Sequence, residues 1–161
     1  YFKECQTLVR DNGLEKVVTF TGPVNIADYL GRIHVVVLTS LSESQPLVVL
    51  EAGAAGLPFV STDVGSCREI IEGVDDAGRA YGVGGAITHL AAADEIADAC
   101  AVLLLDEARR TAAGQALRNR VVALYTSERA SSAYTELYAR LAARPDASAG
   151  IVTQGGSPWP A

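Results

Sequence analysis

Ile33-His34-Val35-Val36-Val37-Leu38 is followed by Thr39-Ser40-Leu41-Ser42-Glu43-Ser44-Gln45, and then by Pro46-Leu47-Val48-Val49-Leu50-Glu51-Ala52-Gly53-Ala54-Ala55-Gly56. The first run is apolar at nearly every position, as befits a parallel strand covered by helices on both faces. The second is polar and carries an acid. The third opens on Pro46, whose fixed φ suits a first helical position, and stops at Gly56, so a helix is expected up to Ala55. Strand, polar loop and helix in this order make a βα unit, and the class that repeats such units is a parallel α/β sheet.

The same alternation extends in both directions. Upstream, Phe2, Cys5, Leu8 and Val9 recur at helical spacing and Asn12-Gly13 supplies a left-handed stop. Val17–Thr21 reads as a short strand ended by Gly22-Pro23, and Asn25 can cap a short helix bearing Ile26, Tyr29 and Leu30. Downstream, the pattern predicts a buried strand at Pro58–Ser61, a helix at Ser66–Glu72 and a last strand at Arg79–Gly82. After Ala91 only helices are expected, at Asp94–Leu105, Glu107–Tyr125 and Ser127–Ala142, with Asp106 and Thr126 as caps. Residues 1–143 are thus read as one domain. Residues 144–161 lose periodicity in a run of Ala, Ser, Gly and Pro, and a disordered tail is expected there.

Composition narrows the function classes. Hydrophobic residues make up 49% of the 161 and charged residues 20%, a globular balance with no run long enough to span a membrane. A formal net charge of −6 argues against a nucleic-acid partner, since phosphate backbones are bound by clustered Lys and Arg. The clusters at Arg109-Arg110 and Arg118–Arg120 fall in helical pattern and read as a solvated face. Three scattered cysteines, Cys5, Cys67 and Cys100, fit a reducing cytoplasm. No metal-ligand spacing is found.

In open parallel sheets, ligands bind at the carboxyl ends of strands, and a helix starting there offers unpaired N–H groups to an anion. Glu43 stands in that position. Glu51, flanked by Leu50, Ala52 and other apolar residues, reads as an acid on a largely apolar helix, where burial would demand a partner or a ligand. A carboxylate there could accept two hydrogen bonds from a vicinal diol such as a ribose.

Glu43 and Glu51, separated by seven residues and followed by Ala52-x-Ala54-x-Gly56-x-Pro58, resemble the paired-glutamate motif of the family 4 (group 1) retaining glycosyltransferases. Val60-Ser61-Thr62-Asp63-Val64-Gly65 with Glu69, and Val18-x-Phe20-x-Gly22-x-Val24, are similar to further motifs of that family in order and spacing. The wording of Thr39–Gly56 and of Asp63–Glu69 most resembles the Pel exopolysaccharide transferase subgroup. The resemblance covers about Tyr1 to Leu141.

It implies a GT-B fold, with this chain as part of its C-terminal, Rossmann-like donor domain, incomplete at the N-terminus. It implies a hexosyltransferase that moves sugar from a nucleoside-diphosphate donor, a UDP-sugar, to a growing polysaccharide or other acceptor with retained configuration. No metal and no cofactor is implied. By the same likeness Glu43 is the catalytic residue near the reacting carbon, and Glu51 binds the ribose. Ser44, Gln45, Pro46, Leu47 and Val48 line the diphosphate or hexose, and Gly22 and Val24 hold the base. The resemblance further implies a cytoplasmic protein, with a membrane polysaccharide-export complex as a partner at the inner face.

Two departures qualify the match. Many members have Phe-Gly where this chain has Gln45-Pro46, and proline removes one amide donor. The family's phosphate-binding Arg and Lys belong to an opening strand and loop, and neither a Walker-type loop nor Gly-x-Gly-x-x-Gly occurs here. Those groups are expected upstream of Tyr1, so residues 1–161 alone are expected to be inactive. A nucleotide-sugar epimerase of the same fold, and a non-catalytic α/β binding module, are the alternatives.

Overall fold

A computed structural model of the chain describes residues 1–74 and 79–143. The expected tail, 144–161, lies outside the described residues. The chain forms two compact units, Tyr1–Ile33 and one beginning at His34.

In the first unit, helix α1 spans Phe2–Asp11. Its end is set by the Asn12 side chain, which donates to the Leu8 carbonyl at 2.8 Å, and by Gly13 at φ +65°. The Phe2 and Phe20 rings meet edge to face at 5.3 Å. Asn25 stands one residue ahead of the cap position, which Ile26 takes, and its Oδ1 accepts from the Ala27 amide at 3.2 Å at the start of α2, Ala27–Leu30. Val17–Thr21 is not a strand: among the described residues it pairs with no neighbour. An extended segment becomes a strand only when another backbone completes its hydrogen bonds, and sequence pattern cannot supply that partner.

The second unit is a parallel sheet of β1 (Val36–Leu38), β2 (Phe59–Thr62) and β3 (Gly85–Thr88), in that order. Val37 pairs with Val60, and Val60 with Ala86. The last strand therefore starts beyond the expected Arg79–Gly82. Gly84 and Gly85 look like loop residues, yet close packing requires them. A Cβ on Gly84 would sit 2.7 Å from the Leu117 Cβ, and one on Gly85 would sit 2.8 Å from the Phe59 nitrogen.

Helices α3 (Leu47–Ala54), α4 (Cys67–Glu72), α5 (Ala93–Leu105), α6 (Glu107–Leu124) and α7 (Ser127–Ala142) complete the unit. Successive residues of β2 point to opposite faces. Phe59 joins Val49, Ala52, Ile70, Ile71, Leu117 and Val121 on one side, while Val60 meets Leu103 and Ala113 on the other. Both faces of β2 are covered, whereas β1, expected to be covered on both faces, is an outer strand of the sheet and leaves Val37 exposed. The Rossmann-like α/β class read from the sequence is the class observed.

The arginines of α6 form a solvated face only in part: Arg109 and Arg118 are exposed, whereas Arg120 is buried. Arg110, Arg118 and Arg120 each cap the carboxyl end of a different helix, where unpaired carbonyls and the helix dipole favour a cation. Arg110 donates to the Leu103 and Leu104 carbonyls at the end of α5, at 3.3 and 3.1 Å, and Arg118 to Ala54 at the end of α3, at 3.0 Å. Arg120, fully buried, donates to the carbonyls of Ile70, Ile71 and Glu72 at the end of α4, at 2.8, 2.7 and 3.2 Å, and also to Gly82. Burial lowers its pKa from the ordinary guanidinium value.

Candidate functional site

Because the three strands are parallel, Leu38, Thr62 and Thr88 end on one edge of the sheet, and the loops that follow them gather there. Each of these loops, or the helix after it, contributes a carboxylate. Asp63 and Glu95 are engaged by neighbours. Arg68 reaches Asp63 Oδ2 at 2.7 Å and Glu72 at 2.8 Å, and this guanidinium holds the Asp63 carboxyl below the usual carboxylate range. Glu69, one residue along α4, accepts from the Tyr125 hydroxyl at 2.5 Å. Glu95 accepts from the His89 amide and ring, both at 2.9 Å, and the amide bond is the main cause of its lowered pKa.

Glu43 is different. It is half-buried, and Ser40 Oγ donates to its Oε1 at 2.7 Å. Its Oε2 has no partner among the described residues. The loop that carries it is held from two directions. Thr62, buried in the central strand, donates its hydroxyl to the Ser40 carbonyl at 2.6 Å. From the turn after β2, the Ser66 amide donates to the Ser44 carbonyl at 2.9 Å. Gly65, at φ +51°, lies directly against the Glu43 and Ser44 carbonyls.

Ser66 occupies the cap position of α4 without capping it. Its side chain accepts no amide, and its buried Oγ has no hydrogen-bond partner. The next residue, Cys67, is fully buried; burial pushes its thiol pKa up, opposed by a hydrogen bond with Ser61 and reinforced by the charges of Glu43 and Asp63.

Pro46 is buried and extended, at φ −71° and ψ 123°, so it serves as the cap residue of α3 and not as its first helical residue. Its ring meets the φ demand of either position, which is why sequence alone misplaced it by one. No side chain caps this helix. The first-turn amides of Leu47 and Val48 therefore lack a side-chain acceptor, while Ser44 and Gln45 are exposed beside them.

Glu51 corrects the expectation of a buried acid. Val49, Ala52 and Gly53 form the buried stripe of α3, and Glu51 falls outside it, exposed and without a polar partner among the described residues. The helix is apolar because one face is core and the other is built of Leu47 and Ala54, both exposed. Leu47 and Glu51, four residues apart, share that outward face. Gly22, at φ +65°, and Val24, exposed, belong to the first unit. His34 is exposed ahead of β1.

A cleft of about 580 Å³ adjoins the start of α3, walled by Gln45, Leu47 and Leu50 and by Tyr125, Thr126 and Arg129. A larger cavity of about 910 Å³ lies between β3 and helices α5 and α6, lined by Tyr81, Val83, Val102, Leu103 and neighbours. Its lining is mostly apolar, with Arg109 the one charged group, so it lacks the convergent polar atoms a sugar or phosphate requires. Among the described residues, no cluster of three His, Cys, Asp or Glu side chains could hold a metal, and no helix is long and apolar enough to cross a membrane.

Ser40, Thr62 and Gly65 are the members of this constellation that sequence reasoning did not connect to Glu43. The Ser40-x-x-Glu43 spacing, familiar from reciprocal caps at helix starts, was a usable signal for the first. The other two come from a separate strand and turn.

The sequence profile of the family described as glycosyl transferases group 1 matches residues 2–106. The N-acetyl-alpha-D-glucosaminyl L-malate synthase of Bacillus anthracis is 32% identical over 132 residues, 81% of this chain and 32% of that protein. A D-inositol 3-phosphate glycosyltransferase of Paenarthrobacter aurescens is 44% identical over 69 residues, 41% of this chain and 17% of its own. This chain therefore spans a third or less of those relatives. Among solved structures, the sucrose-phosphate synthase of Thermosynechococcus elongatus superposes with a TM-score of 0.75 at 27% identity, over 88% of this chain and 34% of that one. The C-terminal domain of a group 1 glycosyl transferase from Francisella tularensis gives 0.62 at 26% identity, over 78% and 62%. With the paired-strand edge, the profile match and these likenesses in agreement, the chain belongs to the group 1 glycosyl transferases.

Proposed function

We propose that this chain forms the donor side of a retaining, family 4 hexosyltransferase that uses a nucleoside-diphosphate sugar, a UDP-sugar, without a metal. The observation that carries the reading is that the Glu43 carboxylate, oriented by Ser40, lies on the loop that leads directly into the uncapped start of α3 at the carboxyl end of a parallel sheet. Fixed amide dipoles at Leu47 and Val48 would stabilise negative charge growing on the departing diphosphate, the work a metal does elsewhere. Glu43, through its unpartnered Oε2, would face the donor hexose near the reacting carbon. Glu51 is exposed on the same helix, as a group that receives ribose hydroxyls from solution must be. Gly22 and Val24 would hold the base, and Ser44, Gln45 and Pro46 would border the hexose and diphosphate.

Calorimetric titration of the full-length protein with UDP-, GDP- and ADP-sugars tests this directly. Tight binding of the UDP-sugar, lost in Glu51→Ala, is the expected result; equal indifference to all three would sink the proposal. The same protein should release UDP only with acceptor present, which separates transfer from epimerisation. Were this chain a non-catalytic module, Glu43→Ala and Glu51→Ala would leave sugar transfer by the full-length protein untouched. On this reading residues 1–161 by themselves do not turn over a UDP-sugar.

The acceptor has two readings. The wording of Thr39–Gly56 favours a growing polysaccharide of the Pel type, made at the inner face of a membrane with an export complex as partner. The names of the relatives, with L-malate and inositol 3-phosphate in them, favour a small hydroxylated acceptor. Mass analysis of the product distinguishes a polymer from a glycoside of low mass.

A further inference from the structure

We propose that Ser40 is the positioning residue for Glu43, fixing which carboxylate oxygen meets the donor sugar; this rests on the reading of Glu43 as the acid at the reacting carbon. A glutamate on a polar loop has three side-chain torsions to settle, and a catalytic carboxylate is effective only when held within a fraction of an ångström of its working place. The Ser40 hydroxyl supplies that restraint. It has one proton to donate, and it donates it to Glu43 Oε1 at 2.7 Å. A charge-assisted bond of this length is among the stronger hydrogen bonds a protein makes.

Ser40 is itself anchored. Its carbonyl accepts from Thr62 Oγ1 at 2.6 Å, and Thr62 is only 1% exposed in β2. Downstream of the acid, the Ser66 amide holds the Ser44 carbonyl at 2.9 Å. The five residues from Ser40 to Ser44 are thus tied at both ends to β2 and its following turn, with the carboxylate oriented from inside the loop. Oε1 faces Ser40, and Oε2 is left to accept from a sugar hydroxyl or approach the reacting carbon.

The test is steady-state sugar transfer by the full-length protein carrying Ser40→Ala, Ser40→Thr or Glu43→Ala. Loss of one charge-assisted hydrogen bond should lower kcat of Ser40→Ala about tenfold or more, with KM for the UDP-sugar changed less than about threefold. Ser40→Thr keeps the donor and should stay within about threefold of the parent. A normal kcat in Ser40→Ala, a defect confined to KM, or a Ser40→Thr protein as slow as Ser40→Ala would each overturn the proposal. A Glu43→Ala protein with parental kcat would instead overturn the underlying reading of Glu43, so the two failures are told apart.

Discussion

Gly65 lies against the backbone of Ser44 with no space for a side chain: a Cβ there would come within 2.7 Å of the Glu43 carbonyl oxygen and closer still to that of Ser44. Its φ of +51° is also a conformation that costs an L-residue roughly 1–2 kcal/mol. Gly65→Ala must therefore push the Glu43 loop away or abandon the turn. Both outcomes should cut sugar transfer by more than about tenfold and lower the melting temperature by several degrees, the latter following from that energy. Parental rates of transfer in Gly65→Ala would mean that the placement of this loop does not matter.

Gly114 invites the opposite intuition. It lies mid-helix in α6, where Ala usually stabilises by about 1 kcal/mol. Here a Cβ would collide with the Gly56 carbonyl, whose carbon would be 3.0 Å away. Gly114→Ala should destabilise the chain by about 1–3 kcal/mol in urea unfolding, because overpacking outweighs propensity. A gain in stability would contradict the close approach of α6 to the turn after α3.

The arginine caps should differ in weight. Arg120→Met strands the carbonyls of Ile70, Ile71, Glu72 and Gly82 around a buried site, and a loss of about 3 kcal/mol or more is expected. Arg118→Met removes one exposed bond to Ala54 and should cost under about 1 kcal/mol. Chemical denaturation of the two variants side by side checks the ranking.

Asp63 gives a pH dependence whose sign follows from its lowered pKa. A carboxyl held below its unfolded value adds stability above that value, and loses it as pH falls through the depressed one. The window is therefore below about pH 4. Both partners are about half exposed, so the contribution is small, under about 1 kcal/mol. Asp63→Asn should flatten the fall of melting temperature with acid in that range; an unchanged slope would show that the Arg68 pair carries no stability.

What sequence could see was periodicity and punctuation. The unbroken run at Val35–Leu38 announced a strand, though Val37 in it is exposed. Asp106 and Thr126 accept from the amides of Arg109 and Arg129 as helix caps should, and Glu43 stands at the strand-to-helix turn where it was expected. What it could not see was which residues the turns bring together. Glu51 read as buried because its neighbours are apolar, but whether a helix face meets core or opens outward depends on what packs against it. Arg120 read as surface for the same reason in reverse: its partners are main-chain carbonyls some 38 to 50 residues away, which have no sequence signature. Gly84 and Gly85 obscured β3 because a glycine demanded by crowding is indistinguishable from one that permits a turn.

Strand direction also divides labour within the second unit. Arg120 and Gly114 secure the end of the sheet where β2 and β3 begin, while Ser40, Glu43 and Gly65 occupy the end where β1 and β2 finish. The Arg120 and Gly114 contacts and the proposed donor loop therefore stand at opposite ends of the sheet. On the proposed function, residues such as Leu41, Ser42, Ser44 and Gln45, exposed on that loop, can be varied to retarget donor choice without eroding the contacts of Arg120 and Gly114.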